Sequence, residues 1–178
     1  ITEAVGALAL LGIITVRPGY GTHVAKFSPE EVKSYGLICI GREKINELVE
    51  ARVELEGVIA RLAAAAATAE DLTCIRETHV QLRQTIEQGE QPIEQDFAFH
   101  LAIARACHNS VLVCFFTEMR NQIHQWMTQK ARFNWGYEQV YNQHDRIVEA
   151  IAEGNGNKAE KALKSHLRCT GEKLVAAM

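Results

Sequence analysis

Residues 144–166 read HDRIVEAIAEGNGNKAEKALKSH. Gly154-Asn155-Gly156-Asn157 in its middle is a tight helix–helix turn, joining a helix expected over about 135–153, capped by Asn134, to one over about 158–176. The same punctuation recurs upstream. A helical run over 45–67 has apolar residues near a 3.6 period. Thr68-Ala69-Glu70-Asp71 stops it and caps the next helix, expected to about residue 88, where Gly89 ends it. Pro92 fits the first turn of a third helix, to about 107, and Asn109-Ser110 caps a fourth, to about 132. Only three prolines occur in 178 residues, which leaves long helices uninterrupted. Helices joined by short loops predict an all-α antiparallel helical bundle of six or seven helices.

The N-terminal stretch has another character. Ala4, Val5, Leu8 and Leu11 recur at helical spacing, with Gly12 at the C-cap position. Two short β-type runs, 13–16 and 22–25, then flank Arg17-Pro18-Gly19-Tyr20-Gly21, a hairpin turn signal. Ser28-Pro29-Glu30-Glu31 marks the start of a short helix. The expected organisation is residues 1–26 as a helix end plus hairpin, 27–42 as a linker, and 43–178 as the helical domain. The chain starts at Ile1 rather than Met, and the expectation is that an N-terminal portion precedes it.

Composition narrows the class. With 47% hydrophobic and 23% charged residues, the chain is an ordinary globular sequence, not a collagen, a disordered tail or a disulfide scaffold. The net charge of −3 excludes a uniformly basic nucleic-acid binder. Residues 1–26 carry Arg17 and Lys26 against Glu3, so this end is the less acidic one. Five cysteines without a CxxC pair predict free thiols and a cytoplasmic setting. No apolar run reaches the length of a membrane span.

The chemistry concentrates in four residues. Asp96 and His100 stand at i and i+4 of the third helix, on one face and one turn apart. His144 and His166 lie symmetrically about Asn155, so in an antiparallel hairpin they come level on adjacent helices and converge on one point in the bundle interior. One carboxylate and three imidazoles suit a divalent Zn, Ni, Mn or Fe ion rather than Ca or a cluster. Against this stands a chance spacing of surface or core histidines. Arg52 sits among the core-facing positions, with Glu56 at i+4, and two readings are open. It forms an intrahelical pair with a packed stem, or it faces a central cavity and holds a carboxylate ligand. His79 and His124 lack a partner at ligand spacing and are expected in solvent; His108 belongs in a loop and His23 in the hairpin. No GxSxG, HExxH or glycine-rich phosphate loop occurs, which argues against an enzyme.

These residues bear a family resemblance. ITEAVGALALLGIITVRPGYGTHV at 1–24 resembles the end of the winged helix-turn-helix of GntR-type bacterial transcription regulators: the later part of the recognition helix, then the wing. Glu47-Leu48-Val49-Glu50-Ala51-Arg52-Val53-Glu54-Leu55-Glu56, Asp96-Phe97-Ala98-Phe99-His100, His108-Asn109 and His144…Ala150-Ile151…Gly154…Ala159…His166-Leu167 resemble the helical FCD effector domain of the FadR branch. The resemblance implies metal ligands at Asp96, His100, His144 and His166, and a cavity-facing effector arginine at Arg52. It implies DNA contacts at Thr2, Arg17, Gly19 and Tyr20, although Thr2 and Tyr20 stand where the family usually has basic residues. It further implies a homodimer on an operator, controlled by a small organic acid. A metal-sensing regulator, a structural ion and, further off, a metal-dependent hydrolase are the alternatives.

Overall fold

The computed structural model describes residues 14–17, 21–24, 45–129 and 136–176. The chain divides into two units, Ile1–Ile38 and Cys39–Met178.

In the first unit, β1 (Ile14–Arg17) pairs antiparallel with β2 (Gly21–Val24). Ile14 faces Val24 and Arg17 faces Gly21, whose φ is +89°. A left-handed residue at the strand entrance lets the chain reverse, and glycine adopts it without a Cβ clash. The strands sit one residue away from their expected bounds. The expected first helix, the short helix near residue 28, and Thr2, Gly19 and Tyr20 lie outside the described residues.

The second unit holds six helices among the described residues: α1 (Ile45–Ala66), α2 (Ala69–Glu87), α3 (Ile93–Ala106), α4 (Ser110–Gln129), α5 (Tyr137–Ala152) and α6 (Gly156–Ala176). They pack as an all-helical bundle. The caps follow from the residues between them. Thr68 and Asp71 form a reciprocal capping box at the start of α2. Asn109 Oδ1 accepts the Val111 and Leu112 N–H groups to open α4, and Asn155 Oδ1 accepts that of Lys158 to open α6. One cap differs from expectation. Gly136, at φ +63°, begins α5 in place of Asn134. The left-handed glycine turns the chain into the helix by its backbone alone, where a side-chain cap was expected.

Small residues bring the helices together in the core. Ala60 and Ala63 of α1, Ala150 of α5 and Ala159 of α6 are fully buried, and these short side chains let the helices approach closely. Phe99, Ile103, Phe116, Ile147, Leu163 and Leu167 fill the space between them. Gly171 shows how close α1 and α6 come, because a Cβ there would overlap Cγ1 of Val49. Helix propensity favours alanine over glycine by about 1 kcal/mol. Overpacking against a β-branched neighbour costs about 1–3 kcal/mol. Gly171→Ala is therefore expected to destabilise by up to about 2 kcal/mol in urea unfolding; a gain in stability would show that Val49 yields freely.

Candidate metal centre and adjoining cavity

Asp96 and His100 project from one face of α3, His144 from α5 and His166 from α6. All four are buried, and one donor atom from each lies within 4.8 Å of the others. His144 Nε2 is 3.3 Å from His166 Nε2 and 3.5 Å from Asp96 Oδ1, while His100 Nε2 is 3.8 Å from that same oxygen. His144 and His166 are level because each is the same number of residues from Asn155 across the α5–α6 turn.

Buried partners hold the donors in place. His100 Nδ1 lies 2.6 Å from Glu56 Oε2. Burial pushes the Glu56 carboxyl up, but the Arg52 guanidinium and the hydrogen bonds from His100 and Arg52 outweigh it and bring it down to about 2. A charged carboxylate only accepts, so Nδ1 carries the proton and Nε2 turns a lone pair inward. That Nε2 is buried and without a hydrogen-bond partner among the described residues. His166 Nδ1 donates to Gln143 Oε1 at 3.0 Å, which frees its Nε2 in the same way. The His144 ring stacks on Phe99, with centroids 4.1 Å apart. Burial holds His144 and His166 well below the usual imidazole range, so both are neutral and able to ligate.

Asp96 has its own support. Burial pushes its carboxyl up, but the neighbouring His100, Arg120, His144 and Arg52 side chains draw it below the ordinary range. Arg120 Nη2 donates to Asp96 Oδ2 at 3.1 Å and to the Ile93 carbonyl at 3.4 Å. Its guanidinium lies 4.9 Å from the centroid of Phe97. Burial lowers its pKa to about 10, which still leaves it charged at neutral pH. With Oδ2 held by Arg120, Oδ1 faces the histidines.

The donor set fits a divalent ion. For metal–donor bonds of about 2.1 Å, neighbouring donors stand roughly 3.0–3.4 Å apart, close to the shorter separations here. Three borderline nitrogens and one hard oxygen suit Zn, Ni, Mn or Fe. Outer partners that orient ligating histidines, here Glu56 and Gln143, are typical of metal sites.

A cavity of about 30 Å³ adjoins the cluster. Arg52, Asp96, His166 and Tyr137 give it a polar side, and the remaining wall is largely aliphatic. The Arg52 Nε is held by Glu56, so the two sequence readings of this arginine coexist: it forms the intrahelical pair and also lines the cavity. Among the described residues, its other two nitrogens make no hydrogen bond.

The remaining histidines divide. His79 was expected in solvent, but it is buried: its Nε2 lies 2.7 Å from Asp145 Oδ1 and its ring stacks on Tyr141 at 4.1 Å. Packing of α2 against α5 puts it there, and linear spacing carries no signal for that contact. His124 is partly buried and lies 2.6 Å from Glu94 Oε1 rather than being simply solvated. His108 occupies the α3–α4 turn with φ +51° and reaches Asp71 at 2.8 Å, and His23 is exposed in β2. Glu56 as a partner of His100, together with Arg120, Gln143 and Tyr137, had no signature in the sequence. Arg17 ends β1.

The second unit is thus a helical bundle with a buried N/O donor set and an adjoining cavity. Residues 47–168 match the FCD domain. The chain is 30% identical over 175 residues to the HTH-type transcriptional regulator LutR of Bacillus subtilis, spanning 94% of this chain and 80% of LutR. The Streptococcus agalactiae GntR structure superposes with a TM-score of 0.68 at 24% identity, covering 96% of this chain and 79% of that one. The metal-free FCD domain of TM0439 gives a TM-score of 0.60 at 18% identity, covering 79% and 97%. The chain belongs to the FCD-domain branch of the GntR family of transcription regulators. The relatives it matches are regulators, not enzymes. No helix among the described residues is long and apolar enough to cross a membrane.

Proposed function

We propose that this chain is the sensing part of a cytoplasmic, homodimeric, DNA-binding regulator, and that its helical domain takes a divalent metal ion and a small organic acid together. The observation that carries this reading is the convergence of Asp96, His100, His144 and His166 beside a cavity that also receives Arg52. Four protein donors leave open positions on an ion that prefers six, and a bound ion supplies a Lewis-acidic centre for a carboxylate oxygen. Arg52 adds a guanidinium fork for the same carboxylate or a more distant one. Its grip on Glu56, and through Glu56 on His100, ties the effector contact to the donor set.

A cavity of about 30 Å³ suits water-sized molecules, so an organic acid enters only as lining side chains and their helices shift. That requirement gives the acid different affinities for two bundle arrangements, which is what effector control needs. Residues 1–26 belong to the winged DNA-reading domain on this reading, with Thr2, Arg17, Gly19 and Tyr20 at the operator. Residues 27–42 link it to the helical domain at 43–178.

The test is metal stoichiometry by elemental analysis, before and after the paired substitution His144→Ala and His166→Ala. Wild type is expected to hold one ion per chain and the variant none. Unchanged stoichiometry would overturn the ligand assignment. On the full-length regulator, operator affinity is then titrated with metal and acids varied separately. A response to metal alone, with every acid inert, would assign the signal to the ion.

A further inference from the structure

The histidines of the donor set are not equally supported. His100 Nδ1 has Glu56 and His166 Nδ1 has Gln143. His144 is fully buried, yet its Nδ1 has no hydrogen-bond partner among the described residues. Its Nε2 faces His166 and Asp96 Oδ1. When Nε2 ligates, the one proton of the neutral ring sits on Nδ1. A buried N–H without an acceptor is costly.

A second buried imidazole carries the complementary defect. His79 of α2 packs flat on Tyr141, and its Nε2 lies 2.7 Å from Asp145 Oδ1. Its Nδ1 is buried and has no partner among the described residues either. A carboxylate accepts the Nε2 proton, which leaves a lone pair on Nδ1 of the neutral ring. His144 thus holds an unused donor and His79 an unused acceptor. Their ring centroids are 6.0 Å apart, and Phe99 lies against both rings. Two hydrogen bonds of about 2.8 Å to one shared water put the bonded nitrogens roughly 4–5 Å apart, which suits that spacing.

We propose that His79 is a positioning residue for the donor set: its Nδ1 accepts, through one buried water, the Nδ1–H of His144. Asp145 fixes the His79 tautomer that leaves this acceptor free. The arrangement gives His144 the outer support that Glu56 and Gln143 give the other two imidazoles. It also makes α2, which supplies no donor to the cluster, part of the centre. The inference rests on the reading that the four donors hold an ion.

The experiment is a competitive zinc titration of the full chain as wild type, His79→Gln and His79→Asn, joined to 15N NMR of the histidine rings in zinc-loaded wild type. The glutamine amide takes the place of Nε2, so His79→Gln keeps the contact with Asp145 and loses the acceptor. The asparagine amide takes the place of Nδ1, so His79→Asn keeps the acceptor and loses Asp145. His79→Gln is expected to weaken zinc binding about 10–100-fold, and His79→Asn to stay within about threefold of wild type. In the spectra, His79 is expected to carry its proton on Nε2 alone and His144 on Nδ1 alone. A His79 proton on Nδ1, zinc affinity in His79→Gln within about threefold of wild type, or an equal loss in both variants would each overturn the assignment. The last two results would leave His79 as a clamp between α2 and α5. The variants are compared only where their circular dichroism matches wild type; should either unfold, the wild-type spectra decide alone. If wild type itself binds no zinc, the metal reading fails and the role of His79 falls with it. Zinc bound by wild type with any of the overturning results sinks the His79 assignment only.

Discussion

Arg120→Leu is expected to cost about 3–5 kcal/mol of unfolding free energy when measured in the presence of a chelator. The side chain is fully buried, and its Nη2 donates to Asp96 Oδ2. Leucine fills much of the volume and keeps an apolar contact with Phe97, so packing loss is a minor part of the effect. The larger part is Asp96, which is left as a buried carboxylate whose main fixed hydrogen-bond donor has gone. Metal affinity is also expected to fall about 10–100-fold, because nothing then pins Oδ2 and turns Oδ1 toward His100 and His144. Urea unfolding and a competitive zinc titration check the two parts. Stability within about 1 kcal/mol of wild type would show that Asp96 gives up its charge rather than depending on the arginine.

Chelation of the wild-type protein is expected to lower its melting temperature by roughly 8–16 °C. An ion held at about 1,000 times its dissociation constant stabilises by about 4 kcal/mol. For a chain of this size each kcal/mol moves the midpoint by about 2–4 °C. Differential scanning fluorimetry with and without EDTA, followed by zinc add-back, measures the shift. The paired His144→Ala and His166→Ala substitution should abolish both the drop and its recovery. A midpoint indifferent to EDTA in metal-loaded wild type would mean that the four donors are held together by the bundle alone.

The parts of the site that lie along one helix or across one short turn could be read from sequence. Asp96–His100 and Arg52–Glu56 are both i,i+4 pairs, and helical periodicity dictates that such pairs share a face. His144 and His166 came into register because the Gly154–Asn157 turn is short enough to fix which residues of α5 and α6 stand opposite each other. Arg120 and Tyr137 obey no such rule. Arg120 meets Asp96 from α4, 24 positions further along the chain, and which rotation of α4 faces α3 depends on the packing of Phe116 against Phe97. Tyr137 lines the cavity from the first turn of an α5 that starts at a left-handed Gly136, later than an Asn134 cap would have placed it. The burial of His79 leaves no mark in the linear sequence for a related reason, since its pairing with Asp145 crosses from α2 to α5.

The four donors ride on two stiff bodies. One pair is carried by a single helix, one turn apart, and cannot change its own spacing without breaking that helix. The other pair is carried by the α5–α6 hairpin, locked at its tip by a glycine with φ +67°. Each pair is therefore rigid, and the only soft coordinate is the slip of one body against the other. On the proposed reading, a bound ion would pin these two bodies together. A slide of about one ångström, small beside the 5.4 Å pitch of a helix, would then take both histidines of the hairpin out of its reach at once. Such a joint would have an engaged position and a released one, with little room for anything between.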